Sequence, residues 1–97
     1  MSFVFMVFHY PAAEHRDELI RSMREMATHM SRHAGFIDAG PWSDERHPER
    51  IIGLSRWSSR DAFLASGITV APDSDEVPEG EVRPRERFFL DQAHPGS

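Results

Sequence analysis

The stretch FVFMVF, Phe3–Phe8, is six apolar residues in a row, and it constrains the fold of this chain more than any other feature. Its short length and its aromatic and β-branched content predict a strand, not a helix. A strand with one wet face alternates apolar and polar residues; this one does not, so both of its faces need cover. The chain has 97 residues, the size of one domain. Such a chain buries roughly 60–70% of the surface that its unfolded form exposes, which allows one thin core. Helices can cover one face of the strand, and the other calls for a second subunit.

The remaining pattern says what lies on each side. Pro11 closes the strand, and a helix is expected from Ala12 to Ala34, with Leu19, Ile20, Met23, Met26, Ala27 and Met30 forming one apolar stripe. Gly35 stands where a helix cap is expected. The methionines read first as a deformable core face and second as the lining of a ligand surface, Met30 included. Phe36–Trp42 is a second strand interrupted by Gly40 and Pro41, and a polar turn leads to a third strand, Arg50–Trp57. There Ile51, Gly53, Ser55 and Trp57 share a face. Ser58 with Asp61 has capping-box spacing and Ser59 is an equally good cap for a second helix, which Gly67 stops early. Residues 67–82 form an acidic loop rich in Pro and Gly, expected to be either a lid or disordered. Arg85–Asp91 is the last strand, and 92–97 a frayed tail.

The order β-α-β-β-α-β over a single domain, 1–97, implies an α+β ferredoxin-like fold, a four-stranded antiparallel sheet with both helices on one face. Phe3–Phe8 and Phe88–Leu90 are too apolar to leave the other face in water, so a homodimer packing sheet on sheet is expected.

Composition excludes several classes. Sixteen acidic residues against eleven basic ones, all arginine, give a net charge of −5, which disfavours a nucleic-acid partner. With no cysteine, disulfides, thiolate metal sites and a cysteine nucleophile are ruled out. The amino-terminal segment lacks a basic region and a small-residue cleavage site, so it does not read as a signal peptide, and no run is long enough for a membrane span. A cytoplasmic protein with no membrane association is expected.

Two segments carry a family resemblance. HAGFIDAGPW (His33–Trp42) and RWSSRDAF (Arg56–Phe63) match an arrangement of A/P-G-F after helix one, a charged turn, and an apolar strand ending W-x-S-x-D/E-A-F. The chain resembles the antibiotic biosynthesis monooxygenase superfamily over roughly residues 3–66. The resemblance implies a homodimeric α/β barrel and a family that includes cofactor-free oxygenases of polyketide anthrones and quinols as well as haem-degrading oxygenases. It also implies that Trp57 lies at the pocket between helices and sheet. The haem degraders resemble one another in an Asn on strand one and a His on helix two; here Met6, Val7 and Phe8 fill the strand, and no His occurs between His47 and His94. The anthrone oxygenases carry an Asn four residues before the Trp, where this chain has Gly53.

The function expected is a cofactor-independent monooxygenase acting on an electron-rich aromatic, polyketide-type or quinol small molecule. The alternative is a non-catalytic ligand-binding dimer, with haem binding or degradation ranked last. Such chemistry needs water exclusion, ring orientation and a base. Trp57 reads equally as a pocket wall that stacks on the ring or as a core plug. His33, at the edge of the helical stripe, and His9, after strand one, are the candidate bases. Ser55 and Met30 are candidate substrate contacts with Trp57, and so is Trp42, which reads more readily as a packing residue. His29 and His33 have helical metal-chelating spacing but no recognisable third ligand, so no metal is expected. His15, His47 and His94 read as solvent-exposed. The alternating Arg83, Arg85 and Arg87 read as a solvated row answering acids such as Asp73, Asp75 and Glu76.

Overall fold

The computed structural model describes residues 2–95. Four strands, β1 (Phe3–His9), β2 (Phe36–Ser43), β3 (Ile51–Trp57) and β4 (Glu86–Asp91), form one antiparallel sheet in the order β2-β3-β1-β4. The helices α1 (Arg16–Met30) and α2 (Arg60–Ala65) join them, giving the ferredoxin-like α+β order. No helix among the described residues is long and apolar enough to cross a membrane.

Register assigns the two faces. Phe3 opposes Trp57, Phe5 opposes Ser55 and Val7 opposes Gly53 across β1 and β3; these side chains point toward the helices. The core proper is Phe3, Trp57 and Phe63 of α2, with Phe36, Ile68 and Val70 packed against it. On the opposite face, Met6 lies between Leu54 and Phe88, and Val4 opposes Leu90. Among the described residues no helix covers that side. Arg50, held by Asp44, lies over the Phe8 ring at 4.3 Å, and Arg56 pairs with Asp38.

The expected boundaries differ at α1 and β2, and at α2 one of the two offered caps is the one used. The long helix is preceded by a 3-10 turn, Ala13–His15, and ends at Met30. Beyond it, Arg32 N–H bonds to His29 O and His33 N–H to Met30 O, the i→i−3 pattern of a helix tightening to its stop. Gly35 then turns with φ of 84°, where a Cβ would come 2.4 Å from Ala62 Cβ; the turn into β2 needs both its left-handed backbone and its missing side chain. Second, β2 runs unbroken through Gly40 and Pro41 to Ser43. It is an edge strand, where the missing N–H of Pro41 is tolerated. Third, of the two serines offered as caps, Ser59 accepts the Ala62 N–H at 3.0 Å and starts α2.

The acidic loop is strapped to the domain at both ends. Ile68 and Val70 touch the core. Ala12 N–H donates to Gly80 O, and Val82 N–H to Tyr10 O, so Pro11 and Glu81 form an isolated bridge. In the tail, Gln92 N–H still bonds to Ser2 O; residues 96 and 97 lie outside the described residues.

Candidate functional site

A cavity of about 290 Å³ opens between α1 and the inner face of the sheet, just below the roughly 300–1,000 Å³ of small-molecule sites. Helical periodicity builds one wall, because Met23, Met26 and Met30 all lie on it. Strand periodicity builds the other from Phe5, Val7, Gly53 and Ser55. Gly53 leaves room in the floor: a Cβ there would sit 3.5 Å from Met23 Cε and 3.6 Å from His9 Nε2. The lining is mostly apolar, and its polar members are few: His9, Ser22, Ser55 and Arg85.

The polar end of the cavity is a buried charge cluster. Glu81, its side chain fully inaccessible, accepts the Tyr10 N–H at 3.1 Å and Arg85 Nε–H at 2.7 Å. Burial would raise its carboxyl pKa, but the hydrogen bond from Arg85, then that from Tyr10, outweighs burial and holds it below the usual glutamate value. His9 Nδ1 stands 3.5 Å from Glu81 Oε2 and is buried with no hydrogen bond completed. Burial, followed by the positive charge of Arg85, lowers the His9 pKa from 6.5 to about 4, against the pull of Glu81. His9 is therefore neutral at physiological pH, a free base at the cavity wall.

The proposed site residues thus separate. His9, Ser55 and Met30 line the cavity; His33, Trp42 and Trp57 do not. His33 is exposed in the turn beyond α1, because the helix stops three residues short of it. Trp42 is 61% exposed and shares the helix-free face with Ile52. Trp57 is completely buried behind the wall, its indole N–H donating to Ser55 Oγ at 3.0 Å. Among the described residues no group of three His, Asp or Glu side chains converges to hold a metal.

The arginine row is solvated only in part, and the expected pairing with Asp73 is present at Arg87. Arg85 joins the buried cluster, and Arg87, 13% exposed, lies 3.8 Å from Asp73 of the loop; only Arg83 projects outward, stacked over Tyr10. Glu81 went unrecognised in the sequence because it sits within an acidic run whose other members are exposed. One signal was there: Glu81 and Arg85 are four residues apart.

Solved structures share this architecture along the whole chain. Rv0793 from Mycobacterium tuberculosis superposes with a TM-score of 0.70 at 16% identity, covering 100% of both chains. PA3566 from Pseudomonas aeruginosa gives 0.67 at 13% identity, covering 96% of this chain and 95% of the other. The heme-degrading protein Rv3592 from Mycobacterium tuberculosis gives 0.63 at 19%, covering 96% and 100%. At these identities the likeness is one of fold. No curated protein sequence matches the chain. The family profile described as antibiotic biosynthesis monooxygenase does match, over residues 1–67. That span contains β1, α1, β2, β3 and α2, hence every residue lining the cavity except Arg85, and on this match the chain belongs to the antibiotic biosynthesis monooxygenase family.

Proposed function

We propose that this chain is a cofactor-independent monooxygenase whose substrate is an electron-rich aromatic of the anthrone or quinol class. The observation that carries the reading is His9: a neutral imidazole at the wall of an apolar cavity of small-molecule size, with the other candidate base, His33, outside it. The apolar lining excludes water and accepts a flat ring, and the methionines adapt to its outline. His9 takes a proton from the bound substrate. The acid it serves is one whose conjugate anion is spread over an aromatic system, and Glu81 offsets the positive charge that His9 acquires, which makes the imidazole a better proton acceptor than burial alone would leave it. The substrate anion then reduces O₂ itself. For an anthrone methylene, one oxygen atom ends in the new carbonyl and the other leaves as water with the two displaced hydrogens.

Oxygen uptake with a panel of anthrones and dihydroxynaphthalenes tests the reading. Enzyme-dependent uptake is expected, and His9→Gln should lower it by about a hundredfold. A folded wild-type protein that consumes no oxygen above background would replace this reading with that of a non-catalytic binder of aromatic ligands.

The same reading includes a homodimer. The helix-free face presents Val4, Met6, Phe8, Ile52, Leu54, Phe88 and Leu90 in register, an apolar surface of the kind that monomers rarely leave open. Light scattering at micromolar concentration should give twice the chain mass, and Met6→Glu, at the centre of that face, should halve it. A monomeric wild type would refute the dimer.

A further inference from the structure

We propose that Glu81 is a positioning residue, whose carboxylate fixes the proton of His9 on Nδ1 and so leaves Nε2 as the acceptor facing the cavity. The catalytic part of this inference rests on the oxygenase reading above; the Glu81–His9 pairing does not.

Three observations support it. The carboxylate is held in place by groups other than His9: Tyr10 N–H fixes Oε1, and Arg85 fixes Oε2. The glutamate is therefore oriented before any ligand arrives. His9 Nδ1 is buried without a completed hydrogen bond, and Glu81 Oε2 stands 3.5 Å away. A buried ring nitrogen facing a carboxylate oxygen carries the proton, since two lone pairs at that distance would repel. Catalytic hydrogen bonds are often long in unliganded proteins and shorten in the complex. Finally, the space above Gly53 lies 3.6 Å from His9 Nε2, measured at the Cβ position that glycine leaves empty, so the second nitrogen is open to the cavity.

The charged groups acting on His9 are Glu81 on the strap and Arg85 and Arg87 at and near the start of β4. The β3 and α1 residues beside it in the cavity, Gly53 and Met23, carry no charge. Glu81 is thus the group that compensates a proton arriving on His9, while both arginines oppose it. The arrangement follows the physical logic of any histidine base oriented by a carboxylate. Here the carboxylate comes from the loop strap, so the segment after α2 supplies chemistry as well as cover.

The experiment is nitrogen-15 NMR of the His9 imidazole at neutral pH, with Glu81→Gln and Glu81→Asp for comparison. Free histidine prefers the proton on Nε2. Wild-type His9 is expected with its proton on Nδ1, and a neutral ring protonated on Nε2 would overturn the proposal with no variant needed. Glutamine keeps a carbonyl oxygen for Tyr10 N–H and presents an N–H₂ donor, so Glu81→Gln should move the proton to Nε2, whereas Glu81→Asp should keep it on Nδ1. A folded Glu81→Gln protein with an unchanged tautomer would also refute it. With a turned-over substrate, Glu81→Gln should lower kcat by about a hundredfold with KM changed less than twofold. An Nδ1-protonated His9 in a protein that consumes no oxygen would sink the oxygenase reading and support the pairing.

Discussion

Replacing Trp57 by alanine is expected to cost about 3–5 kcal/mol of stability, a large share of the roughly 5–15 kcal/mol that a domain of this kind possesses. The side chain ties together several parts of the inner layer. Its ring meets Phe36 edge-on at 5.5 Å and Phe63 at 5.7 Å, which connects β2, β3 and α2, and Phe3 faces it across β1. Alanine would leave a cavity bounded by rigid aromatic rings that cannot collapse into it, and would also remove the N–H donated to Ser55 Oγ. Trp57→Phe keeps most of the ring contact and loses that hydrogen bond, so about 1–2 kcal/mol is expected. Urea unfolding followed by circular dichroism measures both, and the midpoint should fall at constant slope. Because Trp57 lies behind the cavity wall, Trp57→Phe should leave binding of an aromatic ligand within about twofold. A variant of unchanged stability that no longer binds would place the indole in the site.

The legible part of the fold was the part written in periodicity. FVFMVF reads as a strand from its length and composition, the spacing of Leu19, Met23, Met26 and Met30 as a helical face, and RIIGLSRW as a strand with Trp57 turned inward. The boundaries were harder, because Ser31–Ala34 are as compatible with a helix as the residues before them. Beyond Met30 the chain tightens through i→i−3 bonds and turns at Gly35, which packs closely against Ala62, a tertiary contact. The cavity was half legible: its methionine wall follows from helical spacing, but its polar end needs three segments at once. His9 ends β1, Glu81 lies in the loop strap and Arg85 precedes β4. The bridge between Pro11 and Glu81 brings them together, and no local pattern announces a pairing 70 residues long. An acidic run is correctly expected to be solvated on average, and Glu81 departs from that expectation because Arg85 and a backbone N–H replace water around it.

The second large effect follows from that cluster. Glu81→Leu is expected to destabilise the protein by about 3 kcal/mol, because it leaves the buried Tyr10 N–H without an acceptor and Arg85 without its counter-charge. Arg85 retains some contact with solvent, which keeps the loss at the lower end of the range for broken buried pairs. Adding Arg85→Leu removes the stranded charge, so the double variant should be more stable than Glu81→Leu alone, with a coupling of about 1–2 kcal/mol in the cycle. Additive losses would mean that the pair contributes as two independent residues. The cluster also sets the response to acid. His9 titrates ordinarily at 6.5 and at about 4 when folded, so on acidification the unfolded chain takes up this proton first. The stability is whole above pH 6.5 and declines as pH falls toward 4, by about 3 kcal/mol if His9 acts alone. Glu81, held below its usual value, extends the decline below pH 4.5. His9→Gln should therefore flatten stability between pH 6.5 and 4 while leaving the loss at lower pH, and a decline of undiminished slope in that variant would assign the acid sensitivity to other groups.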